Sequence, residues 1–273
     1  GIEVTFDQDG VTGAAEHFLI EPAVSGRFEQ HGRTLAFVPL EELAHGTVYR
    51  VAVRRGVGIN SSDQVLETDL TFSFETAAEA PAPVRFWVEI GRPIIESPPD
   101  ERPVIGVSAY GEEGAVPKTL ALEVYRLPSL GAAVSAARTI LTAPGWATWS
   151  SVGLVPTDGL RRVLRFDGRL ESIDTANDHV IRFPARLDPG WYLVVLPLEA
   201  RDRQALLQVS EVAVYAMATE TRTLAWVSDI ATGRPLPGAA IAVADRPSLG
   251  VTDADGLLLA PVVLVGSLFV LVL

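Results

Sequence analysis

Apolar and polar residues alternate along this chain in short runs, the signature of strands that turn one face toward a core. Ile2-Glu3-Val4-Thr5-Phe6 opens the series. Phe18-Leu19-Ile20, Thr34-Leu35-Ala36-Phe37-Val38, Thr47-Val48-Tyr49-Arg50-Val51-Ala52-Val53 and Leu70-Thr71-Phe72-Ser73-Phe74 continue it, separated by Gly, Pro and polar turn residues. The rhythm returns at 84–89, 102–110, 118–126, 179–184, 190–196, 205–215, 224–229 and 239–243. Strands at this spacing predict an all-β chain of tandem antiparallel β-sandwiches.

Three passages depart from that rhythm. Residues 129–141 predict one short helix: Ser129 is suited to accept an N–H as N-cap, the alanines between 132 and 137 favour helix, and Pro144-Gly145 stops it. In Gly233-Arg234-Pro235-Leu236-Pro237-Gly238 two prolines lack the ladder N–H and the glycines favour positive φ, so the segment is a connection. Residues 257–273 carry no charge, but Pro261, Gly266 and Ser267 fall inside a run shorter than the ~20 apolar residues of a membrane span. Two buried strands, 258–265 and 268–273, are expected there.

At 273 residues the chain exceeds one ordinary domain. The expected modules are 1–78, 79–210 and 211–273, the first two joined through the Ala/Pro-rich stretch 77–83. An insertion at 127–178 is expected in the second module, with the helix and a further strand pair, and the third is expected to be cut short at Leu273. Gly1 to Gly10 lacks the charged and apolar regions of a secretory leader.

The formal charge of −12 gives no electrostatic reason to bind nucleic acid or anionic lipid, both of which need a basic patch. Of 22 basic residues only Lys118 is lysine, a bias of composition rather than of chemistry. With no cysteine there is no thiolate, disulfide or Cys-based metal site. His17, His31, His45 and His179 lack any His-Glu-x-x-His spacing, and no nucleophile elbow or phosphate-binding glycine loop occurs. Asp253-Ala254-Asp255-Gly256 starts like a calcium loop, but Leu257-Leu258-Leu259 follows where further ligands belong, so a hairpin turn is expected. Asn60-Ser61-Ser62 matches the glycosylation triplet by chance. No catalytic, cofactor or metal residue is assigned.

Two features could form a binding surface. Arg161, Arg162, Arg165 and Arg169 cluster, and would either meet an anion or form an ion-paired face. Trp146 and Trp149 lie together outside the strand patterns and are candidates for ligand stacking. Trp87, Trp191 and Trp226 lie inside strand patterns and are expected to fill cores.

Several phrases carry a family resemblance: 208–215, Trp226-Val227-Ser228-Asp229, Thr232-Gly233-Arg234-Pro235 and Thr252-Asp253-Ala254-Asp255-Gly256. They resemble the join between macroglobulin-like domains in bacterial α2-macroglobulin family proteins, and the first module resembles a bacterial Ig-like domain. Leu187-Asp188-Pro189-Gly190-Trp191-Tyr192 resembles the turn before a late strand in that family. The resemblance implies Ig-like and macroglobulin-like, fibronectin-III-like sandwiches. It implies a non-catalytic scaffold of an extracytoplasmic endopeptidase inhibitor, at the periplasm or cell surface, whose partners are the parent chain's other domains and, through the full-length protein, target proteases. The family's covalent trapping uses a Cys-Gly-Glu-Gln thioester, which a cysteine-free chain cannot hold. A surface adhesin or carbohydrate-binding array of Ig-like modules is the alternative; an accessory region of an envelope enzyme ranks last.

Overall fold

The computed structural model describes residues 1–60, 62–79, 85–147, 150–173, 177–199, 201–243, 246–261 and 270–272. Trp149 lies outside the described residues, as do parts of the expected linker and of the two strands expected at the end of the chain. The chain divides into two compact units, Gly1–Ala82 with Pro144–Val152, and Pro83–Ala143 with Gly153–Leu273.

The first unit contains β1 (Ile2–Thr5), β2 (Val11–Thr12), β3 (Phe18–Glu21), β4 (Gly26–His31), β5 (Thr34–Pro39), β6 (Val48–Val53), β7 (Gly58–Ile59), β8 (Ser62–Val65) and β9 (Leu70–Glu75). They pair as β1-β5-β4, β3-β6-β9 and a small β2-β7-β8 sheet, all antiparallel. Alternation decides what is buried: Val4, Leu35 and Phe37 from one sheet meet Phe18, Val51 and Val53 from the other. The rings of Phe18 and Phe37 stack at 5.2 Å. Ala147 and Ser150 are buried in this unit, where the Ser150 N–H donates to Glu75 Oε1 at 2.6 Å.

The second unit contains β10 (Phe86–Ile90), β11 (Ile94–Ser97), β12 (Val104–Gly111), β13 (Thr119–Arg126), α1 (Leu130–Leu141), β14 (Arg161–Arg169), β15 (Glu171–Ser172), β16 (Asp178–Arg182), β17 (Gly190–Leu196) and β18 (Arg203–Val209). One sheet runs β10-β12-β16-β15, the other β11-β18-β17-β13-β14. Between them lie Val88, Ile105, Leu122, Val124, Ile181, Phe183, Tyr192, Val194 and Leu207. Helix α1 covers the outer face of the larger sheet, setting Ala133, Ala136 and Ala137 on Leu193, Val195 and Leu206. With both faces covered, Tyr192 to Leu196 are all buried and the strand reads as an unbroken apolar run. Each such aliphatic side chain contributes about 1.5–3 kcal/mol by leaving water. The helix begins as expected, the Ala132 N–H donating to Ser129 Oγ at 3.2 Å. Strand β11 pairs in parallel with β18, a departure from the antiparallel rule of the other pairings.

The same unit ends with β19 (Val212–Ala218), β20 (Arg222–Asp229), β21 (Ala240–Val243), β22 (Arg246–Val251), β23 (Leu257–Pro261) and β24 (Val270–Val272). They form sheets β19-β20-β23 and β22-β21-β24 around a separate core of Ala225, Val227 and Ile241, against which Val212, Val214, Leu236 and Leu258 pack. Here the expectation for Trp226 is overturned. It is 42% exposed, because β20 turns Ala225 and Val227 inward and the bulky alternate residues outward. Trp87 and Trp191 are partly buried, and Trp191 packs against the cluster beneath α1.

Candidate functional site

The arginine cluster lies on β14, at the edge of the five-stranded sheet. Its pairing with β13 shifts register between Val124 and Tyr125, so that Val124 opposes Leu164 while Tyr125 opposes Arg162 and Arg126 opposes Arg161. A bulge of this kind bends the strand and re-aims its side chains. On its other side β13 sets Arg126 opposite Tyr192 of β17. The pairing thus assembles a cross-strand row, Arg161, Arg126, Tyr192.

Arg126 is spent within the protein. Its guanidinium lies over the Tyr192 ring, 5.5 Å from the centroid, and donates to Tyr192 Oη at 3.0 Å and to the Pro189 carbonyl at 3.1 Å. Tyr192 Oη donates to the Asp188 carbonyl at 2.6 Å, and burial is the first cause that holds its phenol above the ordinary range. Arg186 and Asp188, just before β17, complete an open cleft of about 400 Å³ with Arg126, Arg161, Arg162 and Tyr192.

Outside the cleft, Glu123 gathers the remaining charge. Arg162 Nη1 lies 2.9 Å and Arg165 Nε 3.6 Å from its Oε1, while the Tyr125 hydroxyl donates to Oε2. The tyrosine hydrogen bond is the largest cause that holds the Glu123 carboxyl below its usual range, with Arg162 and Arg165 adding to it against desolvation. The same bond raises the Tyr125 phenol.

Of the residues selected from sequence, Arg161 and Arg162 line the cleft and Arg165 joins the ion-paired side. Trp146 belongs to the first unit, where it is 48% exposed. Arg126, Arg186 and Tyr192 are the members that sequence reasoning missed. The strand register brings Arg126 and Tyr192 together and the connection before β17 adds Arg186; the one local signal is an arginine ending a strand pattern at 126. Among the described residues no group of three His, Asp or Glu is placed to hold a metal.

A second convergence is built from backbone hydrogen bonds and turn-closing side chains. The Val227 N–H donates to the Gly256 carbonyl at 2.9 Å, the Leu236 N–H to the Val227 carbonyl at 3.0 Å, and the Asp229 N–H to the Arg234 carbonyl at 2.9 Å. Asp229 Oδ1 accepts from both the hydroxyl and the N–H of Thr232, each at 2.7 Å, which lowers its carboxyl from the ordinary range. The buried Thr252 hydroxyl donates to the Leu236 carbonyl at 2.6 Å. Asp253 Oδ1 accepts the N–H groups of Asp255 and Leu257, both at 2.9 Å, around Gly256 at φ +70°; the turn expected from sequence forms, but it joins β22 to β23 across two sheets rather than closing a hairpin.

No family model matches the chain, and no curated protein matches it. Solved structures are similar to it. A native α2-macroglobulin fragment from Escherichia coli spanning domains MG0-NIE-MG1 is similar over 100% of this chain and 94% of its own, at 13% identity and TM-score 0.42. The E. coli fragment spanning NIE-MG1 is similar over 65% of this chain and 88% of its own, at 15% identity and TM-score 0.44. A Salmonella α2-macroglobulin mutant is similar over 96% of this chain but only 16% of its own, at 14% identity and TM-score 0.39. The likeness is one of structure, with no counterpart among sequence relatives.

Proposed function

We propose that this chain is a non-catalytic structural portion of a bacterial α2-macroglobulin-like protein, part of the scaffold of an extracytoplasmic endopeptidase inhibitor. The observation that carries this reading is the junction around β20. Phrases that resemble the family in sequence, the neighbouring 226–229 and 232–235 and the more distant 252–256, share one backbone hydrogen-bond network. Their polar side chains close turns rather than face a substrate.

The module division belongs to the same proposal: an Ig-like module at 1–78, a macroglobulin-like module at 79–210 and a further one from 211. The separate cores on either side of residue 211 support the second boundary. In this reading the partners are the other domains of the parent chain, with proteases met through the full-length protein, at the periplasm or cell surface. No helix among the described residues is long and apolar enough to cross a membrane.

The test mixes the parent protein with several endopeptidases and measures residual activity on large and small substrates. Retained protease that cleaves small but not large substrates is the expected result; no retention or shielding of any protease overturns it. One observation favours the second reading, a carbohydrate-binding or adhesive surface: Trp146, Tyr215 and Trp226 are exposed aromatics. Glycan binding lost on Trp146→Ala or Trp226→Ala would select it.

A further inference from the structure

The cleft between β13, β14 and the approach to β17 holds four guanidiniums from a chain whose formal charge is −12. Arg126 and Arg161 stand directly opposite one another across two strands, and like charges in that position oppose folding. Arg126 is committed to Tyr192 and Pro189, and Arg162 to Glu123. Arg161 and Arg186 have no hydrogen-bond or ion-pair partner among the described residues, which leaves two planar donor forks on one cleft. Among the described residues the only acid lining it is Asp188.

We propose that this cleft is an oxyanion site for a phosphate monoester, gripped by Arg161 and Arg186 with Arg126 and Arg162 supplying field. A single carboxylate is saturated by one fork, whereas a dianionic phosphoryl group presents three terminal oxygens that two forks engage together. The bulge that sets Arg162 and Arg161 opposite Tyr125 and Arg126 is the backbone device that places them. Binding neutralises the opposed pair, so the ligand stabilises the fold as well as occupying the cleft.

The test titrates inorganic phosphate and glycerol 3-phosphate into the protein at pH 7.5, with ionic strength matched by chloride, and reads Kd and Tm. Phosphate is expected to raise Tm where chloride does not. Arg161→Gln and Arg186→Gln are each expected to weaken Kd about tenfold or more, while Arg165→Gln leaves it unchanged. Without phosphate, Arg161→Gln is expected to fold at least as stably as the parent, since it removes a like-charge opposition, and this separates lost binding from lost structure. Sedimentation with phosphatidic acid but not phosphatidylcholine vesicles would assign the phosphate to a lipid headgroup, and binding of the soluble probes alone to a free monoester. Affinity insensitive to both arginine variants, no Tm response beyond that of chloride, or binding of a polyglutamate peptide in place of phosphate would overturn the proposal.

Discussion

Gly168 on β14 faces Ile181 on β16 so closely that a Cβ at the glycine would fall against Ile181 Cγ2, and 2.9 Å from Leu122 Cδ1. The two sheets approach here because one side lacks a side chain. Ile181 and Leu122 are both fully buried, and the Ile181 branch is stiff at χ1, so neither yields easily. Alanine would gain a few tenths of a kcal/mol in chain entropy. Overpacking costs about 1–3 kcal/mol and wins. Gly168→Ala is therefore expected to lower the urea midpoint of the second unit with little change in m-value. An unchanged or raised midpoint would show that the sheets can part at this point.

The Asp253 turn makes a paired prediction. Gly256→Ala forces a side chain into φ +70° and sets its Cβ 2.5 Å from the Val227 carbonyl oxygen, a cost of about 1–3 kcal/mol for the backbone alone. Asp253→Ala removes acceptors from two exposed N–H groups and costs about 1 kcal/mol. Because the carboxylate closes the turn, millimolar calcium should leave the Tm of the parent protein unchanged. A calcium-dependent rise in Tm that disappears in Asp253→Ala would reverse that assignment.

Glu123 predicts a pH dependence whose sign follows from its neighbours. Tyr125, then Arg162 and Arg165, favour its ionised form in the folded protein, so its folded-state pKa lies below the unfolded value of about 4.3. Its contribution to stability is complete above that unfolded value and is lost as pH falls through the folded one. Tyr125→Phe removes the largest of the lowering causes and should move the Glu123 titration, followed by carboxyl NMR shifts, upward toward the ordinary range. Arg165→Gln should move it less. An Arg165 effect exceeding that of Tyr125 would mean that charge, not the hydroxyl hydrogen bond, dominates.

How much of this was legible in advance varied with the physics involved. Alternation at 34–38 and 48–53, the Ser129 cap and the Asp253 turn are local signals, and each appears in the structure as an element or a bond. Strand β11 was not legible, because Pro93 and Pro98 flank four residues and read as punctuation, while its parallel partner lies more than a hundred residues away. Nor was the grouping of 144–152 with the first unit, since one of its ties is a hydrogen bond to Glu75 across 75 residues. The arginines were chosen because they cluster in sequence, and that criterion passes over Arg126 and Arg186. Strand register makes Arg126 a member of the cleft, and the connection between β16 and β17 carries Arg186 to it.

The misplacement of Trp226 has the same origin and yields the sharpest check on register. An aromatic in a strand pattern shows that one face is apolar, but both faces of β20 are apolar here: Leu224 and Trp226 on one, Ala225 and Val227 on the other. Tyr215 and Leu257 flank Trp226 across the strands and are exposed as well, whereas Val227 is fully buried on the face that meets Ile241. Volume separates the faces, since the smaller pair is the one buried, in a core of Ala225, Val227 and Ile241. Val227→Ala should then cost about 2 kcal/mol through lost burial and the cavity left behind. Trp226→Ala, one residue away, should cost less, because 42% of its surface already remains in water and its loss opens no cavity in the core. Denaturation midpoints of the two variants measure the contrast, and a larger loss for Trp226→Ala would mean that β20 is paired one residue out of register, with its faces exchanged.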